Sequence, residues 1–127
     1  MELKGDAKLL RVFIGESDKH QHRPLYEAII AAARQHGLAG ATAWRGILSY
    51  GQSTRIRTAK VLDLSADMPV IIEMADRAEA IDGFMAPLNQ LLEEANCGGL
   101  ITVEKVEVVR HLSERPRTPV KAYTALG

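Results

Sequence analysis

Cysteine, aromatic residues and net charge are all scarce in this 127-residue chain: one cysteine, six aromatics, and sixteen bases balanced by sixteen acids. Cys97 alone cannot build a disulfide framework and fits a reducing compartment. No helper residue beside it marks it as a nucleophile. Charge balance removes any whole-surface attraction to nucleic acid or acidic lipid. No apolar run is long enough to span a membrane, and Met1 to Arg11 lacks the apolar core of a signal peptide. The expectation is a cytoplasmic protein without direct membrane insertion.

Catalytic signals are equally sparse. Ser17, Ser49, Ser53, Ser65 and Ser113 all lack a Gly-x-Ser-x-Gly elbow. His20 and His22 stand two apart with no partner cluster at metal-ligand spacing. The carboxylates are dispersed, with no paired acid–base site. Around Tyr50-Gly51-Gln52-Ser53 there is neither a Walker pattern nor a G-x-G-x-x-G. The expectation is no catalytic residue, no metal site and no enzyme; no motif names a cofactor.

The length predicts one domain, residues 1–112, followed by a flexible tail, 113–127, with two prolines and no periodicity. "KLLRVFIGE" (8–16) predicts a strand. Pro24 opens a helix running to His36, with Leu25, Ile29 and Ala33 at helical spacing, and Gly37 stops it. "GATAWRGILSY" (40–50) predicts a second strand, and "VIIEMA" (70–75), entered through Pro69, a third. Asp76 and Glu79 have capping-box spacing for a second helix. That helix carries Ile81, Phe84, Met85, Leu88, Leu91, Leu92 and Ala95 as an apolar stripe. Pro87 is expected to kink or divide it, and Gly98-Gly99 to end it. "LITVEKVEVV" (100–109) predicts the fourth strand.

Strand, helix, strand, strand, helix, strand is the ferredoxin-like α+β arrangement, an antiparallel sheet with two helices on one face. Strand two is apolar on both sides: Trp44, Leu48 and Tyr50 on one, Ala41, Ala43 and Ile47 on the other. A sheet face left to water does not read this way, so the second face is expected to pack on other subunits. RNA recognition by such a sheet needs exposed aromatics on both central strands, and only Phe13 qualifies. Nucleic acid is therefore not an expected partner.

Charge is segregated. From Ala28 to Leu62 there is no acid, while Arg34, Arg45, Arg55, Arg57 and Lys60 fall inside that window. Backbone amides at turns, helped by nearby arginines, can hold an anion. Gly46, Gly51, Arg55 and Arg57 form one such grouping. Gly98 and Gly99, with Arg110, Arg115 and Arg117, form another.

The ordered combination "GLAGATAWRGILSYG", a basic loop, "LSADMPVIIEMAD" and "GGLITVEKVEVV" resembles the PII-like family of unknown function, related to the nitrogen regulatory protein PII. The resemblance covers about Lys8 to Leu112. It implies a homotrimer and a long loop between strands two and three, based on Gly46 to Gly51, with its body from Gln52 to about Ala66. It also implies an intersubunit cleft for a small anionic ligand, an adenine nucleotide among the candidates, and signalling through the loop to a partner such as a membrane transporter or enzyme. The site residues expected on this basis are Gly46, Tyr50, Gly51, Arg55, Arg57, Gly98, Gly99 and Arg110. Two departures stand out: the turn "ANCGGL" is shorter than the phosphate-holding loop of PII, and Tyr50 lies too early to match its modified tyrosine. The competing readings are a ligand-free interaction module and a small enzyme using the cleft.

Overall fold

The computed structural model describes residues 5–50, 57–58 and 68–112. In chain order the elements are β1 (Gly5–Gly15), β2 (Lys19–His20), β3 (Arg23–Pro24), α1 (Leu25–Gln35), β4 (Thr42–Arg45), β5 (Leu48–Ser49), β6 (Arg57–Thr58), β7 (Pro69–Asp76), α2 (Ala78–Ala95) and β8 (Leu100–Val108). Four of the strands form one antiparallel sheet in the order β4-β7-β1-β8. The expected ferredoxin-like architecture is the one observed. The expected tail, and the loop body between Gln52 and Arg57 and from Ala59 to Ala66, lie outside the described residues.

The pleat of the two central strands sorts the side chains. Leu10, Val12 and Ile14 of β1 stand opposite Met74, Ile72 and Val70 of β7, and all six are buried. They meet Leu25, Ile29 and Ala33 of α1 and Ile81, Phe84 and Leu88 of α2 in one core. Each large side chain buried there contributes about 1.5–3 kcal/mol relative to exposure.

Helix α1 ends as the glycine predicts. Gly37 takes φ +77°, Leu38 N donates to Ala33 O and Gly37 N to Arg34 O. This is the Schellman arrangement, completed by Leu38 packing into the core. Pro24 is the residue before α1 rather than its first.

The start of α2 differs from the expectation. Asp76 is the last residue of β7, and Arg77, with no side-chain cap, precedes the helix. The pleat turns Asp76 inward with Val70, Ile72 and Met74, so its carboxylate is buried at 1% exposure. Its Oδ2 accepts from Ala39 N at 2.8 Å and its Oδ1 from Arg77 N at 2.7 Å. The group ties the α1–β4 connection to the sheet instead of closing a capping box. At the other end, Asn96 with φ 51° ends α2, ahead of Gly98-Gly99. The helix is not divided at Pro87.

Strand two is also broken. β4 stops at Arg45, and the chain resumes as β5, which leaves the sheet to pair with β6 (Ser49 opposite Arg57, Leu48 opposite Thr58). The basic loop thus begins as a two-stranded ribbon.

Candidate ligand site at the loop base

The opposite side chains of the same strands form the outer face of the sheet, and register orders them into rows. Trp44, Ile71, Phe13 and Leu100 make an apolar row across all four strands. The next row is polar throughout: Thr42, Glu73, Arg11 and Thr102. Trp44 Nε1 donates to Glu73 Oε1 at 3.0 Å. The Arg11 guanidinium lies between Glu73 and Glu104. Trp44 and Leu100, at the two ends of the apolar row, are 48% and 55% exposed.

Two glycine turns sit at one end of this sheet. Gly46 N donates to Pro69 O at 2.9 Å, and a Cβ there would stand 2.7 Å from Pro69 Cγ. Glycine is therefore required where the chain leaves β4 against the entry of β7. Pro69 in turn faces Gly15 at the end of β1. On the other side of β1, a Cβ on Gly99 would meet Phe13 O at 3.0 Å and Ile14 Cγ2 at 3.4 Å. Gly98, beside it, is exposed. β4 and β8 are separated by two strands, which sets the turns about 14 Å apart across the sheet.

Between them the backbone ladder is extended by Glu16 N donating to Met68 O at 2.8 Å. Arg45 Nε stands 3.1 Å from Glu16 Oε2. Asp18 Oδ2 accepts from Gly15 N at 2.8 Å, and burial, helped by the Asp18 charge, pushes the Cys97 thiol up. Next to this end, His20 Nε2 lies 2.7 Å from Glu94 Oε1 and holds the β2–β3 hairpin to α2. This hydrogen bond, with a second from Gln90, lowers the Glu94 carboxyl.

Of the expected site residues, Gly46, Gly98 and Gly99 come to the same end of the sheet. Tyr50 follows β5 and is 68% exposed, close in sequence to the exposed Ile47 and Leu48. Arg57 belongs to β6. Gly51 and Arg55 lie outside the described residues. Arg110 does not join the glycines within one chain. It follows Val108, which pairs with Gly5, whereas Leu100 pairs with Phe13; β8 alone, about 27 Å long, separates it from the Gly99 end. The Arg45–Glu16 pair was not anticipated. Its mark in the sequence was the Arg45-Gly46 step inside the acid-free window.

At the other end of the sheet, Leu9, Ala39, Thr42, Glu73, Ala75 and His111 line an open hollow of about 320 Å³. His111 Nδ1 is buried there without a hydrogen-bond partner. Among the described residues, no group of three or more His, Cys, Asp or Glu side chains is placed to hold a metal ion, and no helix is long and apolar enough to cross a membrane.

Residues 7–108 match the family described as "DUF190: Uncharacterized ACR, COG1993". The chain belongs to this family. A relative from Aquifex aeolicus (strain VF5), a UPF0166 protein, is 36% identical over 102 residues, covering 80% of this chain and 92% of that protein. A UPF0166 protein from Methanocaldococcus jannaschii is 30% identical over 104 residues, covering 82% and 93%. Among solved structures, the chain is similar to CPII, a nitrogen regulatory PII-like protein from Thiomonas intermedia K12, bound to ADP, AMP and bicarbonate. The TM-score is 0.62 at 16% identity, over 83% of this chain and 90% of that one. The DUF190 chain therefore has the PII-like fold, as the ordered motifs implied.

Proposed function

We propose that this DUF190 protein is a non-catalytic PII-like regulator that senses a small anionic ligand, most simply an adenine nucleotide. The ligand binds at the sheet end that holds Gly46, Gly98 and Gly99. The observation that carries this reading is the close packing of Gly46 against the Pro69 ring and of Gly99 against Phe13 O, which fixes two glycine turns at the sheet end where the basic loop departs. The Gly46 amide is committed to Pro69 O, so the turn at Gly98 and Gly99 is the one that offers amides to an anion, without a side chain in the way. CPII, which shares the fold, is bound to ADP, AMP and bicarbonate, and that supports the ligand class. Arg55 and Arg57 supply positive charge from the loop, and Tyr50 and Gly51 its base.

The active form is a homotrimer. Its support is the outer face, with an apolar row beside a polar one and, among the described residues, no helix over it, since a sheet face of this composition favours burial. In such an assembly Arg110, remote from the glycines of its own chain, reaches the site of a neighbour. The loop signals to a partner, a membrane transporter or an enzyme, and the exposed Ile47, Leu48 and Tyr50 beside its base suit a protein contact.

Calorimetric titration with ATP, ADP and AMP tests the ligand. Saturable binding of one of them, lost when Arg55 and Arg57 are both replaced by Ala while the oligomer persists, is the expected outcome. Equal binding by that double variant would remove the loop arginines from the site. No binding of any nucleotide at millimolar concentration would overturn the nucleotide reading in favour of a module that answers to protein alone.

A further inference from the structure

Arg45 and Glu16 are rooted on opposite sides of one strand. Arg45 is the last residue of β4 and stands opposite Val70. Glu16 continues β1 and bonds through its amide to Met68 O. Their ion pair, Nε to Oε2 at 3.1 Å, thus straddles Met68 to Val70, where the basic loop returns to the sheet. Arg45 also immediately precedes Gly46, where that loop departs. One contact spans both the exit and the return of the loop.

The pair is partly open to water, with the Arg45 side chain 56% and that of Glu16 36% exposed. A guanidinium offers five donors and prefers a two-pronged acceptor such as phosphate or bicarbonate. Glu16 is an acid held by the sheet immediately beside the loop base, and the chain from Ala28 to Leu62, which includes Arg45 and the outgoing half of the loop, contains none.

We infer that Glu16 is an internal stand-in for the ligand's anionic group: it holds Arg45 while no ligand is bound, and the ligand takes Arg45 from it, releasing the clamp between β4 and the end of β1. The inference rests on the sensor reading above and adds its regulation. Binding and opening of the Arg45–Glu16 pair are then linked, so weakening the clamp must strengthen binding. An exposed ion pair sets the size of the effect.

ADP and adenosine are the probes, titrated against the full chain by calorimetry. Glu16→Gln is expected to tighten ADP about two- to five-fold, the range of an exposed pair. It should leave adenosine, which has no phosphate, unchanged. Arg45→Ala should weaken ADP about ten-fold or more, through loss of a charge-assisted contact. In the Arg45→Ala background, Glu16→Gln should have no further effect on ADP. If wild type binds ADP and neither single substitution alters it, the clamp is wrong and the sensor reading stands. If wild type and Glu16→Gln both fail to bind ADP, the sensor reading falls and the clamp with it. Circular dichroism of each variant separates a binding loss from a folding loss.

Discussion

At the scale of single residues, the close approaches carry the sharpest expectations. Gly46→Ala forces a methyl group to within 2.7 Å of the Pro69 ring, and a ring cannot swing aside as a flexible chain does. The expected cost is about 1–3 kcal/mol in urea unfolding; an unchanged midpoint would mean the turn relaxes freely. Asp76→Ala leaves the amides of Ala39 and Arg77 without their acceptor in a buried setting. That is expected to cost about 2–4 kcal/mol by the same measurement. The raised Cys97 thiol predicts slow alkylation at neutral pH, with labelling that speeds up in denaturant. The glycines were legible in the sequence because the close approach of a backbone leaves a residue-type mark. The burial of Asp76 was not. Its spacing to Glu79 fits a capping box equally well, and only the pleat of β7 decides which way the carboxylate turns. Arg45 was legible as a positive charge but not as half of a pair, because Glu16 lies 29 positions earlier and meets it only through the sheet.

Elements followed their periodicity where packing agreed with it. β1, β7 and both helices were readable because their apolar positions feed one buried core, whereas β8, with no buried residue, was readable from its imperfect alternation of apolar and polar residues. Strand two was read as continuous because apolar residues extend from Ala41 to Tyr50. The break at Gly46 comes from contact with Pro69, a long-range event that local pattern does not record. The β2–β3 hairpin was read only as a polar connection. Its turn places Gln21 and His22 at φ 50° and 68°, and His20 then reaches Glu94. This contact predicts a pH dependence with a definite sign. The folded Glu94 carboxyl is lowered, chiefly by the His20 hydrogen bond. The stability it contributes is therefore present above the ordinary carboxylate range and lost as pH falls through the lowered value. Thermal melts of wild type and His20→Ala should differ at about pH 6 and draw together toward about pH 3. Melting points that stay equally far apart at both values would assign the effect of His20 to packing.

At the scale of the whole molecule, the fold class and the apolar second face could be read from strand order and composition. The rows on that face could not, since register sets them. An assembly through this face makes a sedimentation prediction: a species near 42 kDa, three times the 13.9 kDa chain, shifted toward monomer by Leu100→Glu. Leu100 is exposed on an edge strand, so this substitution spares the core. A wild-type chain that sediments as a monomer would remove the intersubunit cleft from the account. The central claim concerns the glycine turns, and amide chemical shifts during an ADP titration of ¹⁵N-labelled protein test it most directly. The account predicts saturable shifts at Gly46, Gly98 and Gly99, with Gly37 and Gly83 unmoved. Shifts confined to other parts of the fold, or none at saturating ADP, would contradict it.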